Sequence, residues 1–255
     1  MANPRVDILM YHSVSTAEGP TSIPPDVFAS QMEQISAARS AVVSLDTLFG
    51  RKNGASICDQ NQVIITFDDA FVDFVDVAWP VMKNFGFKPI VYVPTAHVGK
   101  KENWRGANSP ARPLMDWPTI RALADEGVIF GSHTVTHRDL QSLSRTDLDC
   151  ELCKSREELE DRLGRQVVHF APPYGLTNTA VRGEIAKQYK TSVGTRLGQA
   201  TEGSDIFDLP RLEMFYFQNP SKWRRHLEGR GSVYLKKRQA LRKARALIAK
   251  PWSQF

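Results

Sequence analysis

The chain has 255 residues, 42% of them hydrophobic and 24% charged, with a formal net charge of +5. These are globular proportions and exclude intrinsic disorder and collagen-like or fibrous states, while the length admits one large domain or two small ones. No uninterrupted apolar run approaches the roughly 18 residues of a membrane span, and Met1-Ala2-Asn3-Pro4-Arg5-Val6-Asp7 carries no signal-peptide core.

Taken in chain order, short apolar runs alternate with longer amphipathic ones. Val6–Met10 reads as a first strand, and Phe28, Met32 and Ile35 recur at helical spacing after Pro24-Pro25. Ala41–Val43 is a short strand, and Val63–Phe67 a stronger one, rich in β-branched residues. Phe71, Val75, Ala78 and Met82 mark a helix ending near Gly86, followed by the strand Pro89–Val93 and a long polar loop from Thr95 to Met115. A helix over Pro118–Glu126 leads to the strand Val128–Phe130, and a long helix over Thr146–Leu163 is closed by Gly164. Val167–Ala171 is a strand, Val181–Tyr189 a helix, and Thr191–Val193 and Leu212–Phe215 the last strands. Repeated β-α units imply a parallel sheet, either an open doubly wound sheet or a closed barrel.

The three cysteines, Cys58, Cys150 and Cys153, make no disulfide framework. Cys150 and Cys153 form a Cys-x-x-Cys pair within a helix-like run, with no second pair or nearby histidine, and read as two core-facing thiols. A reducing, cytoplasmic location is the expectation. The charge is uneven: Lys222–Lys250 holds eleven Lys/Arg against one acid, Glu228, a local balance of +10 that leaves the rest of the chain at −5.

Four polar clusters follow strands directly: Tyr11-His12-Ser13, Asp68-Asp69, Ser132-His133-Thr134-Val135-Thr136-His137, and Pro172-Pro173-Tyr174-Gly175. In a closed barrel all four would meet at the rim formed by the C-terminal strand ends. His133 and His137, four residues apart, can aim at one point if the segment makes a helical turn, and Asp69 would complete a His₂Asp metal site with positions open for water. Taken alone the histidines could be a surface pair, and the acidic pair could cap the following helix. A cap needs one carboxylate, however, and two adjacent ones repel unless a cation sits between them, so metal binding explains both clusters. The metal would hold and acidify water, one Asp would be ligand and the other base, and His12 fits a separate acid for a leaving nitrogen.

Thr66-Phe67-Asp68-Asp69, the Ser-His-Thr-Val-Thr-His string and Phe170-Ala171-Pro172-Pro173-Tyr174-Gly175 resemble the polysaccharide deacetylases with the NodB homology domain, carbohydrate esterase family 4. The resemblance runs from about Ile8 to Phe215. It includes Leu9–Val14, which is similar to the subgroup of poly-N-acetylglucosamine deacetylases, and Leu209-Pro210-Arg211-Leu212. It implies a distorted (β/α)₇ barrel, assigned to residues 1–220, while the charge run marks 221–255 as a basic helical extension. It also implies Asp68 as base, Asp69, His133 and His137 as metal ligands, and His12 as acid. The backbone N–H of Tyr174 would hold the oxyanion, with Pro173, Tyr174 and Arg211 near substrate. The activity implied is removal of N-acetyl groups from amino sugars of a surface polysaccharide or its cytoplasmic or lipid-linked precursor. The metal expected is Zn²⁺, with Co²⁺ or Ni²⁺ able to replace it. A sugar deformylase, an O-deacetylase and a catalytically impaired glycan-binding protein are the rival readings.

Two departures stand out. Ala70 occupies the position where the family motif ends in Gly, which suggests that no positive φ is needed there. Ala171 stands where many members carry Arg, and Arg211 is either its substitute or an ordinary salt-bridge residue. In the basic tail, Leu241, Ala244 and Ile248 share one helical face. The tail reads as a solvated helix packed on the barrel, as a peripheral contact to an anionic inner membrane, or, as a third option, as a nucleic-acid patch.

Overall fold

The computed structural model describes residues 5–48, 61–104 and 106–248, with 246–248 by backbone alone. Cys58 and the end of the basic tail lie outside the described residues. Seven parallel strands close into a barrel: β1 (Arg5–Tyr11), β2 (Gln62–Phe67), β3 (Ile90–Val93), β4 (Ile129–Ser132), β5 (His169–Phe170), β6 (Thr191–Leu197) and β7 (Leu209–Glu213). β1 makes the closure, pairing with β2 from Val6↔Gln62 to Tyr11↔Phe67 and with β7 at Leu9↔Leu212 and Met10↔Glu213. The barrel is irregular on its far side, where β5 pairs with β4 only at Ser132↔Phe170 and the β6–β7 register shifts between Leu209 and Arg211.

The expected strand Leu212–Phe215 begins and ends earlier than its apolar residues suggest. β7 starts at Leu209, and Met214–Phe217 forms a tight 3₁₀ turn.

Strand alternation explains the layering. One buried cluster, holding Val6, Ile8, Ile64, Ile90, Tyr92, Val193 and Leu209, fills the barrel; a second, holding Leu9, Ile65, Phe67, Val91 and Val93, faces the helices. Continuing the inward phase toward the C-terminal ends gives Met10 then His12, Thr66 then Asp68, Gly131 then His133, and Arg211 then Glu213. The interior therefore turns from apolar to polar as the strands reach the rim. Gly131 is required in this layer: a Cβ there would stand 2.6 Å from the Tyr92 ring and 2.9 Å from the His169 carbonyl oxygen.

The outer layer is built from α1 (Pro25–Ala37), α2 (Trp79–Asn84, after a π-turn over Phe74–Ala78), α3 (Trp117–Asp125), α4 (Arg145–Leu163), α5 (Thr179–Gln188), α6 (Pro220–Arg225) and α7 (Ser232–Ile248). Local chemistry sets their ends. Asp116, Ser144 and Asn178 accept from the N–H groups of Thr119, Asp147 and Val181, and Gly164 ends α4 with φ 63°. Cys150 and Cys153 are free thiols on α4, but both are only half-buried, so the expectation of core-facing thiols is corrected; Cys153 Sγ lies 3.1 Å from Glu157.

The segment after residue 220 packs into the barrel. Trp223 is fully buried and donates to the Gln31 carbonyl of α1, and His226 pairs with Asp7 near the start of β1 at 2.9 Å. From there α7, about 25 Å long at 1.5 Å per residue, climbs toward the rim, where Gln239 donates to the carbonyl of Leu197. No described helix is long and apolar enough to cross a membrane.

Candidate active site

His12, Asp68, Asp69, His133, His137 and Tyr174 line one cavity of about 790 Å³ at the C-terminal rim. Four separate stretches of sequence converge there, as the order of strands and polar clusters anticipated. Two of the expected residues lie elsewhere. Pro173 is buried in the turn that carries Tyr174, and Arg211, 1% exposed, lies behind Asp68 rather than on the cavity wall. Neither is among the residues that line the cavity.

Arg211 answers the question left by Ala171. Its Nη1 and Nη2 donate to the two oxygens of Asp68 at 2.7 Å each, and its Nε donates to the Gly194 carbonyl at 2.8 Å. Burial alone would raise the Asp68 carboxyl, but the guanidinium outweighs it and holds the carboxyl below its ordinary value, with His12 and His133 adding to the effect. His12 Nε2 stands 3.8 Å from Asp68 Oδ2. The arrangement is an ionised carboxylate fixed from behind, open to the cavity on the other side.

This pair is costly to break. Arg211→Met would leave Asp68 charged and unpaired in the interior, and a loss of about 3–5 kcal/mol in unfolding free energy is expected. Urea denaturation checks it, and the double variant Asp68→Asn/Arg211→Met should recover much of the loss. Additive losses would mean that the two side chains are energetically independent.

Asp69, His133 and His137 form a buried three-ligand set with donor atoms within 4.8 Å of one another. Asp69 Oδ1 lies 3.4 Å from His133 Nε2 and 3.2 Å from His137 Nε2. Donors on a tetrahedral ion with bonds of about 2.0–2.2 Å stand roughly 3.3–3.6 Å apart, close to these spacings. Asp69 Oδ1 is buried with no hydrogen-bond partner among the described residues, a cost that a cation would remove. Burial would raise the Asp69 carboxyl, yet the two imidazoles hold it well below the ordinary range. Burial lowers His137; at His133 burial pulls the same way but is overcome by the two carboxylates and the Ala171 carbonyl, leaving it raised. His133 Nδ1 lies 2.6 Å from the Ala171 carbonyl oxygen, which fixes Nδ1–H as the donor and leaves the Nε2 lone pair for a metal.

The loop carrying the histidines is not the helical turn that their spacing suggested. Thr134 and His137 both take positive φ, 70° and 57°, and the turn is braced from outside. Glu151 of α4 accepts from the backbone N–H groups of Val135 and Thr136 at 2.8 and 2.9 Å and from the Thr136 hydroxyl. Trp104 stacks on His137 with centroids 4.2 Å apart. Glu151 and Trp104 carry no motif signal, because their roles exist only once α4 and the 95–115 loop have packed.

Asp69, Ala70 and Tyr174 also have positive φ, at 75°, 59° and 60°. Five of the six described non-glycine residues in that region therefore belong to this rim; Arg39 is the other. Each costs about 1–2 kcal/mol, and such strain concentrates where geometry serves chemistry. The reading of Ala70 is corrected here: the backbone does take the left-handed conformation, and the alanine methyl is buried in it. The acidic pair caps no helix, since the following turn starts only at Phe74.

A family model described as polysaccharide deacetylase matches residues 57–193, more than half of the chain. YxkH of Bacillus subtilis (strain 168), which bears a polysaccharide deacetylase name, is 24% identical over 218 residues, 82% of this chain and 71% of its own. Among solved structures, Streptococcus pyogenes deacetylase PplD in complex with acetate superposes with a TM-score of 0.71 at 24% identity, covering 83% of this chain and 92% of PplD. IcaB from Ammonifex degensii gives a TM-score of 0.71 at 20% identity over 89% of this chain and 97% of its own. At such identities the structural likeness is one of fold.

Proposed function

Since the chain belongs to the polysaccharide deacetylase family, we propose that it is a metal-dependent hydrolase releasing acetate from N-acetylated amino sugars of a surface polysaccharide or its lipid-linked or cytoplasmic precursor. The observation that carries this reading is the orphaned Asp69 Oδ1 facing two buried imidazoles, one residue from a carboxylate held ionised by Arg211. Asp69, His133 and His137 would hold the ion, and Zn²⁺ suits this donor set, with Co²⁺ or Ni²⁺ as substitutes. A divalent ion there supplies Lewis-acid polarisation and lowers the pKa of a water.

The chain's own groups divide the proton work. Asp68 takes the proton of the attacking water, since Arg211 keeps it charged and fixed. The Tyr174 N–H donates to the oxygen on which negative charge develops. His12, on the cavity wall with its Nε2 3.8 Å from Asp68 Oδ2, gives a proton to the departing nitrogen. His226, which pairs with Asp7 outside the cavity, is not a competitor for that role.

A glycan-binding protein without turnover has no use for a buried Asp–Arg pair beside a metal triad, which favours the enzyme. The test is incubation of the zinc-loaded protein with chito-oligosaccharides, read by mass spectrometry and acetate assay. Loss of acetyl groups with matching acetate supports the reading. Release only from formylated or O-acetylated sugars would move the activity to the rival chemistries.

His12→Ala is expected to retain metal and to lose amide hydrolysis by roughly 10²–10⁴-fold while sparing activated aryl acetates far more, because a phenolate leaves without a proton. Steady-state rates on both substrates check this. Equal losses would assign His12 to positioning instead of acid catalysis.

A further inference from the structure

One wall of the catalytic cavity is built by α7. Arg238, Leu241, Arg242 and Arg245 all line the cavity, and their spacing puts them on a single helix face. Arg238 and Arg242 are half-buried there, whereas Arg245, Lys236, Lys237 and Lys243 are exposed to solvent. The Arg238 guanidinium lies over the Tyr216 ring at 3.8 Å, and its buried Nε has no hydrogen-bond partner among the described residues. Leu241, 50% exposed, stands between the arginines.

The carboxylates of the cavity are committed elsewhere. Asp68 is held by Arg211, and Asp69 faces the two imidazoles with which it would hold the ion. Glu213 is shared, interacting with His12 and Arg211 as well as with Arg242. Partly desolvating guanidinium groups against a cavity is unfavourable unless an anion meets them there, and a neutral acetylated glycan offers none. Arginine, with its fork of N–H donors, is suited to phosphate.

We propose that the Arg238–Arg242 face of α7 is a subsite for a phosphate group carried by the same glycan whose acetamide reaches Asp69, His133 and His137. The substrate is then a phosphorylated or diphosphate-linked amino sugar. The acetamide half of this assignment rests on the deacetylase reading above; the phosphate half stands on the helix wall alone.

The test separates the two halves. Calorimetry on the zinc-loaded protein compares N-acetylglucosamine 1-phosphate with N-acetylglucosamine, and acetate release compares a chito-oligosaccharide with and without a reducing-end phosphate. The phosphorylated member is expected to be favoured by about tenfold or more in both. Arg238→Gln/Arg242→Gln should cancel that ratio, and Lys236→Gln/Lys237→Gln should preserve it. A preference in binding without turnover of either substrate would uphold the subsite while overturning the deacetylase reading. No preference in the wild type, or one that survives in the arginine variant because the metal centre reads the phosphate, overturns the subsite. Sedimentation with phosphatidylglycerol vesicles, lost equally in the lysine and arginine variants with no sugar-phosphate preference, would assign the helix to membrane docking and likewise overturn it.

Discussion

Asp68→Asn is expected to keep its bound divalent ion and to lose deacetylation by roughly 10²–10⁴-fold, the range for removal of a general base. The asparagine preserves size and can still accept one hydrogen bond from Arg211, but it cannot take a proton from water. It also leaves the Arg211 guanidinium without its counter-charge, so a lower unfolding midpoint accompanies the loss. Metal analysis separates the two effects, because a collapsed site would lose its ion. Retained metal with lost turnover identifies Asp68 as base; lost metal would make it a ligand and exchange its role with that of its neighbour.

Asp69→Asn should lose metal and activity together, and His133→Ala and His137→Ala should do the same. The reason is geometric: Oδ1 of Asp69 is the atom that both imidazole Nε2 atoms approach, at 3.4 and 3.2 Å, so removing its charge removes the centre of the set. His133→Ala also breaks the contact to the Ala171 carbonyl that orients the ring. Inductively coupled plasma mass spectrometry of the purified variants checks this, with about one ion per chain expected in the wild type. Full retention in both histidine variants would sink the ligand assignment.

What could be read in the sequence was whatever a short period encodes. The inward phase of β2 runs Ile64, Thr66, Asp68 and that of β1 runs Ile8, Met10, His12, so a strand boundary and an alternation suffice to send these polar residues to one rim. The same logic fails where tertiary packing decides. Glu151 is one acid among many on α4, and nothing local marks it as the brace of the histidine loop. Ala70 adopts φ 59° because the turn around it demands that conformation, whatever the intrinsic preference of alanine. In α7 the apolar spacing of Leu241, Ala244 and Ile248 drew attention to one face. The residues that meet the barrel and cavity include Leu235, Arg238 and Gln239, with Leu241 left half in solvent. Arg211 was visible as a candidate, but only the closed barrel brings β7 beside β1 and thereby Arg211 behind Asp68.

In the proposed function, Asp69, His133 and His137 hold a divalent ion on which Asp68 depends for hydrolysis. The most direct test of this dependence is to strip the protein with a chelator, titrate Zn²⁺ back, and follow acetate release from a chito-oligosaccharide. No turnover is expected in the stripped protein, with recovery that rises linearly and stops at about one Zn²⁺ per chain. Undiminished acetate release from protein shown to be metal-free would contradict it.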